Sequence, residues 1–298
     1  MLDTTVVIPC YNEAQRLDID CVVRFLTSEA PCRLLLVDDG SSDDTLAILE
    51  ELRECDPRLV EVLSLERNCG KAEAVRRGVL QACGGGAKYV GYWDADLATP
   101  LEVIADFRAK LAGSPQLRAI LGSRVPMLGR NIQRRTGRHL LGRGFATTVS
   151  WTLGLPVYDT QCGAKLFRAD PATQRLFAEP FRTNWIFDVE LLARMLTGPG
   201  RRREVAEALY EMPLDTWQDV PGSKVRPRDF WKACGELLVI YNTYLRRVPP
   251  QARAEGELPV GAAPSRPGRE SGPLPATLRG RGGRRPGSQR PGLVERRG

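Results

Sequence analysis

The chain has 298 residues, 42% of them apolar, enough for one large or two small domains with a real core. Its formal charge of +7 is misleading, because residues 246–298 hold twelve Arg and four Glu and residues 1–245 sum to −1; the body of the protein is not a basic nucleic-acid binder, and no specific nucleic acid is expected as a partner. One histidine, His139, and eight scattered cysteines with no C-x-x-C pair remove Ser-His-Asp machinery and structural zinc.

The dispersed cysteines are expected to be reduced thiols in the cytosol. The first residues run into a strand-like segment with neither a basic leader nor a cleavage site, so no signal peptide is expected. No stretch approaches the ~20 apolar residues of a spanning helix.

In chain order, a β-branched run at 4–9 predicts a strand and 17–28 a helix. A second buried-strand run at 33–38 leads to Ser41-Ser42-Asp43-Asp44, a Ser-x-x-Asp helix start, with the helix running to about 54. Residues 60–65 are a third strand and 71–83 a third helix; 89–93, 101–111 and 119–122 are strand, helix and strand. Continuous apolar strands alternating with helices predict an α/β fold, a mostly parallel sheet covered by helices on both faces. Ligands of such sheets bind at the carboxyl ends of the strands.

Four consecutive strands bring polar residues to that edge: Cys10-Tyr11-Asn12-Glu13, Asp38-Asp39-Gly40-Ser41, Asn68-Cys69-Gly70-Lys71 and Asp94-Ala95-Asp96. Taken singly, each has a plain explanation, such as turn chemistry for Asp-Gly-Ser or a helix cap for Asn68. Two carboxylates two residues apart at a strand end suit a divalent cation and the diphosphate it neutralises, since Mg²⁺ takes one or two carboxylates plus substrate phosphates. Neither G-x-G-x-x-G after the first strand nor G-x-x-x-x-G-K-[ST] occurs, which removes the main support for dinucleotide and P-loop readings.

Together these four segments resemble the nucleotide-sugar-binding half of family 2 glycosyltransferases of the GT-A (Rossmann-like) three-layer fold. Tyr158-Asp159-Thr160-Gln161-Cys162-Gly163-Ala164-Lys165-Leu166-Phe167-Arg168 is similar to the dolichyl-phosphate β-glucosyltransferase branch and its bacterial polyprenyl-phosphate relatives. The resemblance covers about residues 4–215. It implies that Pro9, Tyr11, Asn12, Glu13, Asp38 and Asp39 line the nucleoside pocket, that Lys71 lies near the pyrimidine and diphosphate, that Asp94 and Ala95 meet the ribose or phosphates, and that Asp96 holds Mg²⁺ or Mn²⁺. Related dolichyl-phosphate mannosyltransferases often carry Gln two residues beyond the second Asp; here Ala98 stands there.

The acceptor side is expected from residues 120–190. Asp188 sits where this fold usually carries its catalytic carboxylate, and equally where a first-turn acid of a helix at 189–196 would sit. A hydroxyl acceptor would need Asp188 as general base; a phosphate monoester, already largely dianionic, would need cations instead. Between Asp106 and Asp159 there is no acid but there are nine Lys/Arg, namely Arg108, Lys110, Arg118, Arg124, Arg130, Arg134, Arg135, Arg138 and Arg143. Arg124, Lys165 and Arg168, with Gln161, are the candidates for gripping an acceptor phosphate. The basic window with Phe145 and Trp151, and an apolar segment at 230–245 with Trp231, suit contact with an anionic membrane surface.

The expected organisation is a transferase domain at 1–215 (donor half 1–123, acceptor half 124–215), an amphipathic helical segment at 216–247 and a disordered Arg/Pro/Gly-rich tail at 248–298. The expected activity is inverting transfer of a hexose, glucose from UDP-glucose, onto a polyprenyl or dolichyl phosphate. Its expected location is the inner, cytoplasmic face of the cytoplasmic membrane. The alternatives are a soluble family 2 enzyme acting on a sugar or small-molecule hydroxyl, and a non-catalytic nucleotide-binding scaffold.

Overall fold

The computed structural model describes residues 2–133, 136–198, 202–218 and 228–246. The four leading apolar runs form parallel strands β1 (Thr4–Cys10), β2 (Arg33–Asp38), β3 (Val60–Ser64) and β4 (Tyr89–Trp93). They are joined by helices α1 (Ile19–Leu26), α2 (Thr45–Cys55) and α3 (Lys71–Gly84). There follow α4 (Val103–Ala112), β5 (Ala119–Ser123), β6 (Asn131–Gln133), α5 (Thr136–Leu153), β7 (Ala164–Arg168), α6 (Pro171–Ala178) and α7 (Phe187–Thr197). The chain continues through α8 (Arg202–Glu207), β8 (Leu209–Pro213), β9 (Thr216–Gln218), α9 (Arg228–Ile240) and a π-helical turn, Tyr241–Leu245.

Seven strands make one sheet in the order β3-β2-β1-β4-β7-β5-β8. β7 runs antiparallel to both β4 and β5, and the other six strands share one direction. Alternation along each strand supplies both faces. Val6, Ile8, Leu34 and Leu36 meet Phe25, Leu49 and Phe107 from α1, α2 and α4. Val7, Leu35 and Val37 meet Val75, Val79, Phe177 and Leu191 from α3, α6 and α7. This is the expected three-layer α/β arrangement.

A third apolar cluster joins Leu121, Val149 and Leu153 to Val189 and Leu192 of α7 and to Ala233, Leu237 and Ile240 of α9. The expected boundary at 215 is therefore crossed. β9 pairs with β6, Ile132 opposite Trp217, and α9 buries one face against the acceptor half. The tail expected at 248–298 lies outside the described residues, as do Arg134 and Arg135; Arg138 and His139 fall within α5. Among the described residues no helix is long and apolar enough to cross a membrane, and the eight cysteines are thiols outside any disulfide.

Two helix starts differ from expectation for local reasons. The first helix begins at Ile19 because the Asp18 carboxylate accepts the Cys21 N–H at 2.9 Å. The second begins at Thr45, not at Ser41: the Ser41 hydroxyl oxygen accepts the Asn12 N–H instead (3.0 Å), and the Asp43 carboxylate receives the Thr45 N–H (3.1 Å).

Candidate active site

The carboxyl ends of β1, β2 and β4 form a polar rim, completed by the turn before α3. Asn12 takes a left-handed backbone, φ 50°, and its side-chain oxygen accepts the Ser42 N–H at 2.9 Å. Asp38 is buried and accepts the Ser41 N–H (3.2 Å). Asp39 accepts the N–H groups of Cys69 (2.7 Å) and Gly70 (2.8 Å), so it pins the loop that delivers Lys71. Desolvation nonetheless raises its pKa. Gly40 allows this approach: its φ is +65°, and a Cβ there would lie 2.3 Å from the Arg67 carbonyl carbon. Glu13 is buried with its carboxylate 3.0 Å from Arg16. Pro9 is half-buried and Tyr11 exposed, so both present surface at the rim.

Asp94 and Asp96 follow β4. Ala95 between them is buried in the core cluster, so its methyl packs into the core and its backbone follows the rim. Lys71 Nζ lies 2.5 Å from Asp94 Oδ1. Desolvation works against the Asp94 charge, but Lys71, Lys165 and Arg124 outweigh it and lower the pKa. Lys71 is shifted upward: desolvation opposes its charge, and the carboxylates of Asp94 and Asp188 prevail. Asp96 is raised, first by desolvation and then by the neighbouring Asp94 charge. Among the described residues its carboxylate receives only the Ala98 N–H, at 3.2 Å.

A divalent cation fits this donor set. Asp96 makes no ion pair among the described residues, and desolvation with the Asp94 charge outweighs the favourable fields of Lys71 and Arg16. Among the described residues no group of three His, Cys, Asp or Glu could hold a metal. The cation would therefore complete its shell with diphosphate oxygens and water, as Mg²⁺ commonly does.

Gly163 builds the Asp94 position. Its carbonyl accepts the Asp94 N–H at 3.0 Å, and a Cβ on it would lie 2.0 Å from the Asp94 carboxyl carbon. Gly163 lies inside the motif that carries the family resemblance, yet nothing in the linear sequence marks it as the seat of a residue 69 positions earlier.

Asp188 stands in the first turn of α7 and is buried. Lys165, fully buried, lies 2.5 Å from its Oδ1, and the Tyr92 hydroxyl donates to the same oxygen. Lys165 also donates to the carbonyls of Thr160 (3.1 Å) and Cys162 (2.7 Å). Burial, then the Asp188 charge, push the Tyr92 phenol well up.

Three acceptor-side candidates have partners inside the protein. The three donors of Lys165 go to Thr160, Cys162 and Asp188. The Arg124 guanidinium forms two hydrogen bonds to Asp159 (2.7 and 2.8 Å) and lies 5.3 Å from the Trp217 ring centre, so its charge is compensated. Burial opposes the Arg124 charge, but Asp159 more than offsets it and raises the pKa. Arg168 is at the opposite edge of the sheet. β7 runs antiparallel, with Ala164 beside Trp93 and Arg168 beside Tyr89, a separation of about 13 Å along the strand. Its guanidinium closes the end of α4, donating to the carbonyls of Leu111, Ser114 and Leu117.

The acid-free window also has partners. Arg108 pairs with Asp3 (2.8 Å), Arg118 with Asp170 (2.6 Å) and Arg130 with Asp215 (2.6 Å), all drawn from outside the window. Gln161 remains: its Nε2 is buried and has no hydrogen-bond partner among the described residues.

Residues 5–173 match the family described as Glycosyl transferase family 2. The dolichyl-phosphate beta-glucosyltransferase of Saccharomyces cerevisiae is 34% identical over 262 residues, covering 81% of this chain and 75% of that protein. The Dictyostelium discoideum protein of the same description is 32% identical over 239 residues, covering 75% and 68%. Among solved structures, the Mycobacterium tuberculosis glucosyl-3-phosphoglycerate synthase, crystallised with Mn²⁺, UDP and glucosyl-3-phosphoglycerate, superposes with a TM-score of 0.57 at 19% identity. That likeness covers 83% of this chain and 80% of the other, and shows a common GT-A fold. The matched segment holds the whole donor rim, from Pro9 to Asp96, together with Gly163 and Lys165, and the chain belongs to glycosyl transferase family 2.

Proposed function

We propose that this glycosyltransferase moves glucose from UDP-glucose to a polyprenyl or dolichyl phosphate, with inversion at the anomeric carbon. The relatives' descriptions supply the substrate class. The observation that carries the reading is the state of Asp188. Its Oδ1 is held by Lys165 and Tyr92 and its carboxylate is buried, so it is poorly placed to take a proton from an acceptor hydroxyl. A phosphate acceptor needs no base. One phosphate oxygen bonds to the anomeric carbon as the bond from that carbon to the diphosphate breaks. UDP leaves with the electron pair and no proton moves.

Each residue then has a part. Pro9 and Tyr11 border the nucleoside, and Asp38, Asp39 and Asn12 hold the loops around it, with Glu13 braced behind by Arg16. Lys71 and Asp94 face the diphosphate. Asp96 would hold Mg²⁺ or Mn²⁺, which would neutralise the leaving diphosphate. The Gln161 carboxamide is the acceptor-side donor left after Arg124, Lys165 and Arg168 are accounted for. The Lys165–Asp188–Tyr92 group fixes the floor beneath the reacting centre. Peripheral contact with the cytoplasmic membrane face is part of the proposal. It is supported by Leu128, Trp151 and Trp231, which are 104%, 88% and 75% exposed; exposed Trp suits the membrane interface.

Incubation with labelled UDP-glucose and defined polyprenyl phosphates, followed by product identification, tests the reading. Lipid-linked label released by mild acid is the expected result. Label appearing only on water-soluble hydroxyl acceptors would replace it with the soluble alternative. Asp96→Asn is expected to reduce transfer by about a hundredfold or more with the melting temperature unchanged.

A further inference from the structure

The loop that enters α7 is held in an unusual way. Five successive backbone N–H groups, those of residues 182–186, end in two carboxylates. Glu190, fully buried, accepts from Arg182 (2.9 Å) and Thr183 (2.8 Å), and from the Thr183 hydroxyl (2.8 Å). Glu236, on α9, accepts from Asn184 (3.3 Å), Trp185 (3.0 Å) and Ile186 (3.0 Å). The first N–H groups of a helix lack partners within it. Ile186, at the cap position of α7, has no side chain able to supply one. Glu236, on a helix 50 residues downstream, takes instead the N–H of Ile186 and of the two residues before it.

What this loop carries makes the clamp more than packing. Phe187, one residue on, has its ring centre 5.9 Å from Lys71 Nζ. Asp188, two residues on, is the partner of Lys165 and Tyr92. Asn184 Oδ1 would lie 3.7 Å from a Cβ on Gly70, which places the loop against the turn that delivers Lys71. The N-terminal turn of α7 is thus wedged between α9 and the donor rim, and Glu236 sets where it stands.

We propose that Glu236 is a positioning residue of the transfer reaction: by holding the N–H groups of 184–186 it fixes Phe187 under Lys71 and Asp188 against Lys165. The inference rests on the transferase reading above, and its test separates the two. α9 would be a working part of the site and not an appended amphipathic segment.

The test compares the full chain with Glu236→Ala and Glu236→Gln, reading amide hydrogen exchange at 184–188 and steady-state transfer from UDP-glucose to polyprenyl phosphate. In Glu236→Ala, exchange at 184–188 is expected to accelerate, and kcat to fall about tenfold or more, with KM for UDP-glucose within about twofold of wild type. Glu236→Gln keeps the size and one acceptor oxygen and is expected to fall between. If the alanine variant does not fold, the glutamine variant carries the same two readouts. Wild-type protection in the variant overturns the proposal. So does faster exchange with wild-type kcat, which would leave Glu236 a structural cap alone. Wild-type protein that transfers no sugar refutes the transferase reading, and exchange still decides whether Glu236 holds the loop.

Discussion

Gly163→Ala gives the most direct test of how the donor carboxylates are placed. The added Cβ would sit 2.0 Å from the Asp94 carboxyl carbon and one of its oxygens, and 2.3 Å from the other. Carbon contacts settle near 3.5–4.0 Å, so the carboxylate must retreat by about 1.5 Å. That retreat breaks the 2.5 Å contact with Lys71. The lost ion pair costs little stability, because both side chains are more than a third exposed and such pairs contribute about 1 kcal/mol or less. Local crowding adds about 1–3 kcal/mol, for a fall in melting temperature of roughly 2–12 °C. Turnover should suffer far more, since a displacement near 1 Å at a reacting site costs about a hundredfold. The assay is transfer from labelled UDP-glucose at saturating acceptor, beside a thermal melt and UDP calorimetry. Turnover within about threefold of wild type would refute the argument that Gly163 seats Asp94 and that Asp94 acts in the reaction.

Lys165→Met should destabilise the fold by about 3–5 kcal/mol, because it leaves the buried Asp188 charge without its partner; denaturant melts read this, and Asp188→Asn in the same chain should recover part of the loss. Arg168→Met should cost about 1–3 kcal/mol by orphaning the carbonyls that end α4, with KM for polyprenyl phosphate unchanged; a raised KM would return Arg168 to the acceptor site. The acid side of the stability curve should carry a contribution from Asp3 and Asp170. Arg108 lowers the Asp3 pKa; desolvation opposes the Asp170 charge, but the Thr173 N–H and Arg118 prevail and lower its pKa. Carboxyls shifted down stabilise the fold above their unfolded value, near pH 4, and that stability is lost as pH falls through the lowered folded values. Asp170→Asn should flatten the slope of melting temperature against pH below about pH 4, and an unchanged slope would remove Asp170 from the account.

Much of the fold was legible because parallel strands buried on both faces leave continuous apolar runs, and the helices between them leave a different period. Residues at the carboxyl ends of successive parallel strands share one edge whatever the details of packing. Tyr11, Asp38, Asp39, Lys71, Asp94 and Asp96 therefore fall on one edge by strand order and direction alone. The acceptor half broke that rule. β7 is inserted antiparallel between β4 and β5, which reverses the order of its residues relative to the rim. Lys165 and Arg168, three apart in sequence, are sent one to the core beside Asp188 and the other to the far edge.

The acid-free window from 107 to 158 likewise looked unpaired only along the chain. Asp3, Asp159, Asp170 and Asp215 reach it from elsewhere. The layered α/β class and the donor edge follow from the linear pattern, because strand ends are set by local hydrophobic runs and direction is shared. Which charges are spent inside the protein depends on how distant segments pack. Asp94 on Gly163, Asp188 on Lys165 and the 184–186 loop on Glu236 are contacts between distant segments, and ion pairing depends on distance in space, which strand order and direction create.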